Sequence, residues 1–113
     1  MHELALVKGM LEAVLEQAET HKIKKIEKIK IVVGKMTSAM PEALQFAFEV
    51  LSRDTPAQGA VLEIEIRPIK LSCQDCHLLF RPKGLKYSCP ECAGSRTEIV
   101  QGRELSVEYI EGE

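Results

Sequence analysis

All four cysteines of the 113-residue chain fall within twenty residues, as the pairs Cys73-Gln74-Asp75-Cys76 and Cys89-Pro90-Glu91-Cys92. Twelve residues separate the pairs. Each CxxC closes a tight knuckle that presents two thiolates to one point, and the intervening segment is long enough to fold back as a hairpin. The spacing predicts four thiolates converging on one tetrahedral ion, with Zn²⁺ the first choice and rubredoxin-like iron the other metal that suits such a site. Four thiolates close the coordination sphere and leave no position for a water or a substrate. The expected role is therefore structural: a module of roughly 25 residues cannot bury enough apolar surface to fold alone, and metal binding supplies the missing free energy.

Two other readings of the cysteines are weaker. A disulfide framework belongs to an oxidising compartment. The opening residues carry no secretory leader pattern, since Glu3 and Lys8 interrupt any apolar run. The expected location is thus cytoplasmic and reducing. Cys73-Gln74-Asp75-Cys76-His77 also spells the c-type haem attachment motif, but haem loading needs export, and it leaves the second CxxC unexplained. His77 is read as a surface residue beside the metal, with an occasional replacement ligand as its other reading.

Composition narrows the classes further. With three Phe, two Tyr and no Trp, the core has to be aliphatic. A net charge of −2 offers no general electrostatic footprint for nucleic acid. The longest apolar stretches fall far short of the ~20 residues a membrane span needs. No Ser/His/Asp set and no glycine-rich phosphate loop is present, so the chain is not read as an enzyme.

Along the chain, residues 3–20 read as an amphipathic helix burying Leu4, Val7, Leu11, Val14, Leu15 and Ala18. Residues 29–33 (Ile-Lys-Ile-Val-Val) read as a strand ended by Gly34. Pro41 suits the first turn of a helix over 41–52, with Ala43, Leu44, Ala47, Phe48 and Leu51 as its buried stripe. Residues 60–71 alternate as a half-buried strand, with Pro68 marking an edge or bend. Leu105, Val107 and Tyr109 alternate in a final strand too short to stand alone, whose partners must precede the cysteines. The expected fold class is α+β: two helices packed on a three-stranded sheet, with a zinc-ribbon module inserted. The expected domains are 1–71 plus 99–113, and the ribbon 72–98.

The chain opens Met1-His2-Glu3. His is too bulky for the usual removal of the initiator Met. The free α-amine, the neighbouring backbone amides and the His2 imidazole could then wrap one ion in fused chelate rings. Nitrogen-rich tetragonal sites suit Ni(II) or Cu(II), with affinity falling at low pH because donor nitrogens must lose protons.

These pieces together resemble the HypA (HybF) family of nickel metallochaperones for [NiFe]-hydrogenase maturation. The resemblance runs nearly end to end. It is carried by Met1-His2-Glu3-Leu4, by Pro41-Glu42-Ala43-Leu44-Gln45-Phe46-Ala47-Phe48-Glu49, by the paired cysteines and by Gly102-Arg103-Glu104-Leu105. It implies Ni(II) as transported ion, bound by the Met1 amine, the His2 imidazole and the backbone nitrogens of His2 and Glu3. It implies structural Zn²⁺ on Cys73, Cys76, Cys89 and Cys92. It also implies delivery to a hydrogenase large subunit together with a HypB-type GTPase, with urease maturation proteins as the other client pathway. A monomer or a homodimer, domain-swapped or not, is compatible with an inserted module. One departure stands out: the family's second knuckle continues Cys-Gly-Ser, whereas here Ala93 precedes Gly94 and Ser95 and alters the turn beside Cys92. The alternative function is a zinc-ribbon binding module contacting nucleic acid or a protein assembly, with Arg81, Lys83, Lys86 and Arg96 as its local basic patch.

Overall fold

The computed structural model of the chain describes residues 2–84 and 86–113, with the side chain of His2 outside the description. Its elements are helix α1 (His2–Thr20), strand β1 (Ile26–Gly34), a 3-10 turn (Lys35–Thr37), helix α2 (Pro41–Leu51) and strands β2 (Val61–Arg67), β3 (Lys70–Cys73), β4 (Leu79–Phe80), β5 (Thr97–Gln101) and β6 (Leu105–Gly112). The strands form two three-stranded sheets, ordered β2-β1-β6 and β4-β3-β5. The class is α+β. Residue contacts divide the chain into two compact units: Met1–Val32 with Ala39–Glu65 and Leu105–Glu113, and Val33–Ser38 with Ile66–Glu104. No described helix is long and apolar enough to cross a membrane.

In the first unit α1 packs on α2 and also touches β6. The buried residues follow helical spacing: Val7, Leu11, Val14 and Ala18 on α1, and Leu44, Ala47 and Phe48 on α2. Strand β1 is central and buries Ile26, Ile29, Ile31 and Val32. It begins three residues earlier than its β-branched run suggested. Lys28 and Lys30 sit there without cost, because their charged ends reach solvent and carboxylates on the polar face. β6 runs antiparallel to β1: Lys25 exchanges hydrogen bonds with Glu113 at one end (2.9–3.0 Å), and the Gly34 amide donates to Glu104 at the other (2.7 Å). Lys28 pairs with Glu63 and Lys30 with Glu65, so β1 and β2 advance together, the sense expected of a crossover through α2. The expectation for Leu4 fails: it stands 42% exposed.

The second unit contains the cysteines. The single strand expected over 60–71 is in fact two, split after Arg67 at Pro68, where a missing N–H interrupts any ladder. Its second half, β3, leaves the first sheet and pairs antiparallel with β4 (Leu71 opposite Phe80) and with β5 (Cys73 opposite Thr97). The chain enters and leaves this unit at a backbone crossing. The Gly102 carbonyl accepts from the Met36 amide at 2.8 Å, and a side chain at Gly34 would collide with the Gly102 carbonyl and the Arg103 amide. Gly102 itself adopts φ 122°, a conformation only glycine takes readily.

Candidate metal centre

The second unit has almost no apolar core. Between Ile66 and Glu104 the buried hydrophobic residues, among those described, are Leu71, Cys73 and Cys89. Something other than aliphatic packing has to hold these strands together.

Two knuckles of matching construction provide it. In the first, the Cys73 amide donates to the Leu78 carbonyl and the His77 amide to the Cys73 carbonyl, both at 2.9 Å. In the second, the Cys89 amide donates to the Gly94 carbonyl and the Ala93 amide to the Cys89 carbonyl, again at 2.9 Å. The residue after each second cysteine is left-handed, His77 at φ 63° and Ala93 at φ 59°. Ala93 therefore does not enlarge the second knuckle. It occupies the left-handed position that His77 holds in the first, and Gly94 closes the turn against the cluster. A Cβ at Gly94 would lie 3.2 Å from the Cys92 Sγ and 3.0 Å from the Asp75 carboxylate.

The four sulfurs converge. All lie within 4.8 Å of one another, with Cys73–Cys92 at 3.6 Å and Cys76–Cys89 at 3.5 Å. A tetrahedral ion with Zn–S bonds of about 2.3 Å needs sulfur–sulfur edges of about 3.8 Å, close to these separations. No disulfide links them. The first cysteine of each knuckle is buried and the second exposed, so the cluster lies at the surface of its unit. The donor set fits a closed tetrathiolate site for Zn²⁺ or for Fe.

The electrostatics fit a cation-binding site. The Cys73 thiol is lowered to about 7, chiefly by the Cys76 amide, with the Asp75 amide and the neighbouring thiols adding to it against burial. The Leu78 amide pulls Cys76 down, but the thiol of Cys89, burial and the remaining thiols outweigh it and push Cys76 up to about 12. Cys92 is likewise raised: the Gly94 amide favours its thiolate, while Cys73, Cys89 and burial oppose it. Four thiolates cannot share one small space unless a divalent ion compensates them.

Around this cluster, Arg96 is tied to Asp75 at 3.2 Å and Gln74 to Glu98 at 3.2 Å. Arg81, Lys83, Lys86 and Arg96 are exposed, but Asp75, Glu91 and Glu98 are interspersed among them. This is a mixed surface rather than a basic stripe.

The second set of expected site residues lies at the chain start. Met1 and the His2 side chain fall outside the described residues. Glu3 is described: its carboxylate accepts from the Met40 amide at 3.4 Å. Met40 is the N-cap of α2, so Glu3 ties the first turn of α1 to the entry of α2. Sequence reasoning had no signal for Met40. It missed the left-handed role of His77 and Ala93 as well, although the position following the second cysteine of a knuckle is the place to look.

Comparison with known proteins covers the whole chain. The family model described as hydrogenase/urease nickel incorporation, metallochaperone, HypA matches residues 1–112. The hydrogenase maturation factor HypA of Desulfitobacterium hafniense is 39% identical over 113 residues, spanning 100% of this chain and 99% of that protein. The HypA of Moorella thermoacetica is 35% identical over 113 residues, with both chains covered fully. Among solved structures, the solution structure of the nickel metallochaperone HypA from Helicobacter pylori superposes with a TM-score of 0.71 at 27% identity, covering 99% of this chain and 97% of that one. A second HypA solution structure gives 0.75 at 27% identity, covering 99% and 96%.

Proposed function

The chain belongs to the HypA family of nickel-incorporation metallochaperones of hydrogenase maturation, which are maturation factors and not enzymes, and from that premise we propose that it carries one Ni(II) at its N-terminus while Zn²⁺ holds the four-cysteine unit. The proposed nickel donors are the Met1 amine, the His2 imidazole and the backbone nitrogens of His2 and Glu3. The proposed zinc ligands are Cys73, Cys76, Cys89 and Cys92.

The observation that carries this division is the closed cysteine cluster. With every sulfur committed to one tetrahedron, a cargo ion that must enter and leave needs donors elsewhere. The chain start supports such a role on physical grounds. α1 begins at His2, and the first amides of a helix have no intrahelical acceptor. Their nitrogens can be recruited by an ion without breaking a helical ladder, and opening at a terminus costs little, which suits release. The Glu3 carboxylate on the Met40 amide holds that first turn in place.

Delivery completes the proposal. The recipient is a [NiFe]-hydrogenase large subunit, the assisting partner a HypB-type GTPase, and the family model's mention of urease makes a urease maturation protein the other recipient to compare. Calorimetric titration of untagged protein with Ni(II) tests the cargo site. One ion should bind per chain, and His2→Ala should abolish binding while leaving the zinc content unchanged. Undiminished binding in His2→Ala would refute the assignment.

A further inference from the structure

Two sulfur–sulfur contacts of the cluster run between the knuckles. The Cys73 Sγ lies 3.6 Å from the Cys92 Sγ, and the Cys76 Sγ lies 3.5 Å from the Cys89 Sγ. Each contact joins an exposed cysteine to a buried one. Cys92 and Cys76 are exposed, whereas Cys73 and Cys89 are closed off at 0% and 2%. An accessible sulfur beside a sheltered one suits oxidation in two stages, in which the first meets the oxidant and the second resolves the product. Closing either contact to a disulfide bond of about 2.05 Å shortens it by about 1.5 Å. All four cysteines of the chain belong to this cluster, so thiol oxidation has no target in the first unit.

We propose that the cluster is a peroxide-sensitive site, in which oxidation links Cys76 to Cys89 and Cys92 to Cys73, frees the ion and leaves the knuckles stapled to each other. The thiolate of Cys76 or Cys92 attacks one oxygen of hydrogen peroxide. The S–O bond forms, the O–O bond breaks and hydroxide leaves, so the sulfur is oxidised to a sulfenic acid and the peroxide is reduced. The buried thiolate of the opposite knuckle then attacks that sulfur. The S–S bond forms, the S–O bond breaks and a second hydroxide leaves. A disulfide sulfur has no negative charge to offer a metal, so each link removes two of the four donors.

The crossed pairing matters because of what the second unit lacks. Between Ile66 and Glu104 its buried hydrophobic residues, among those described, are Leu71, Cys73 and Cys89. A disulfide inside one knuckle would close a loop around two residues and hold nothing else. The crossed links span 19 and 13 positions, one nested within the other, and tie the end of β3 at Cys73 to the second knuckle. Longer closed loops restrict the unfolded chain more. The oxidised unit therefore keeps its fold without the ion, and a dithiol with zinc restores the metal-held form. The loss of the ion rests on the reading of the cluster as a zinc site.

The test treats the full-length, zinc-loaded chain with hydrogen peroxide, follows zinc release with a coloured chelator and maps the disulfides by mass. Trypsin cuts after Lys83 and Lys86, between the knuckles, and further cleavage before Asp75 and after Glu91 parts the two cysteines of each knuckle. Zinc should be released by about two equivalents of peroxide per chain. Cys73 should be found linked to Cys92 and Cys76 to Cys89. Amide shifts of β3 and β5 should stay dispersed in the oxidised, zinc-free protein and collapse in reduced protein stripped by a chelator. Links within a knuckle, the other crossing of Cys73 with Cys89, links between chains, sulfinic acid as the main product, zinc retained beside the disulfides, or collapsed shifts in the oxidised protein would each overturn the proposal. Zinc measured before oxidation judges the zinc reading separately: its absence there would overturn that reading, and the disulfide map would still decide the pairing.

Discussion

Ala93 sits left-handed at φ 59° with a Cβ that glycine would lack. That conformation costs a non-glycine residue about 1–2 kcal/mol. Introducing glycine costs about 0.5–1 kcal/mol through the greater freedom of the unfolded chain. The first effect is the larger, so Ala93→Gly should stabilise the metal-loaded second unit by about 0.5–1 kcal/mol. Denaturation followed by a probe in that unit checks this, and a loss of stability would mean the knuckle does not turn as described. The residue also shows where reading a sequence runs short. As a string, Cys92-Ala93-Gly94-Ser95 looks like an insertion. As a backbone it is the same turn as Cys76-His77-Leu78, because hydrogen bonding from Ala93 to Cys89 sets the count from the first cysteine, not from the glycine. The convergence of the four cysteines was legible because their paired spacing forms two knuckles that face each other. The tie between Glu3 and Met40 was not, since 37 residues separate them and neither carries a motif of its own.

At the scale of elements, the helices were legible and the strands only in part. The stripes Val7-Leu11-Val14-Ala18 and Leu44-Ala47-Phe48 are helical periods with one buried side, and the structure buries those residues. Alternation over 60–71 shows extended chain but is blind to which sheet the chain joins, so the exit at Pro68 into β3 went unread. β5 was missed because Thr97–Gln101 offers only Ile99 and Val100 as apolar residues, and neither is buried. The first sheet has a testable centre in Lys30. From the middle strand it reaches Glu65 at 3.2 Å and Glu63 at 3.9 Å on β2, and Glu108 at 3.3 Å on β6. Hydrogen bonding to Glu65, then to Glu108, raises its pKa above the ordinary 10.5. A cation whose folded pKa is raised stabilises the fold below its unfolded value, and the benefit disappears as pH climbs through the folded one. Stability should therefore fall as pH rises beyond about 10.5. Lys30→Met should be less stable at neutral pH, more so at low salt than at high, with a shallower alkaline decline. Urea denaturation across pH measures both, and an identical alkaline slope in the two proteins would deny Lys30 this role.

For the whole molecule, two units of unlike construction share one chain. The first closes around aliphatic side chains from α1, α2 and β1, and the second around four sulfurs. Removing the metal should therefore act unequally. A chelator, or Cys89→Ser, should melt the second unit while the helical circular dichroism of α1 and α2 persists. Loss of the helix signal together with the metal would show a single cooperative unit instead. The most conspicuous motif, the cysteine quartet, accounts for the architecture, while the proposed cargo site rests on Met1, His2 and Glu3, residues whose function no spacing rule reveals.

That division is most directly tested by measuring zinc and nickel in the same sample, with the native chain start and with a short N-terminal extension left in place. The account predicts one zinc per chain in both proteins after exposure to Ni(II), and one nickel only in the protein with the free Met1 amine. Nickel retained by the extended protein, or nickel gained at the expense of zinc, would contradict it.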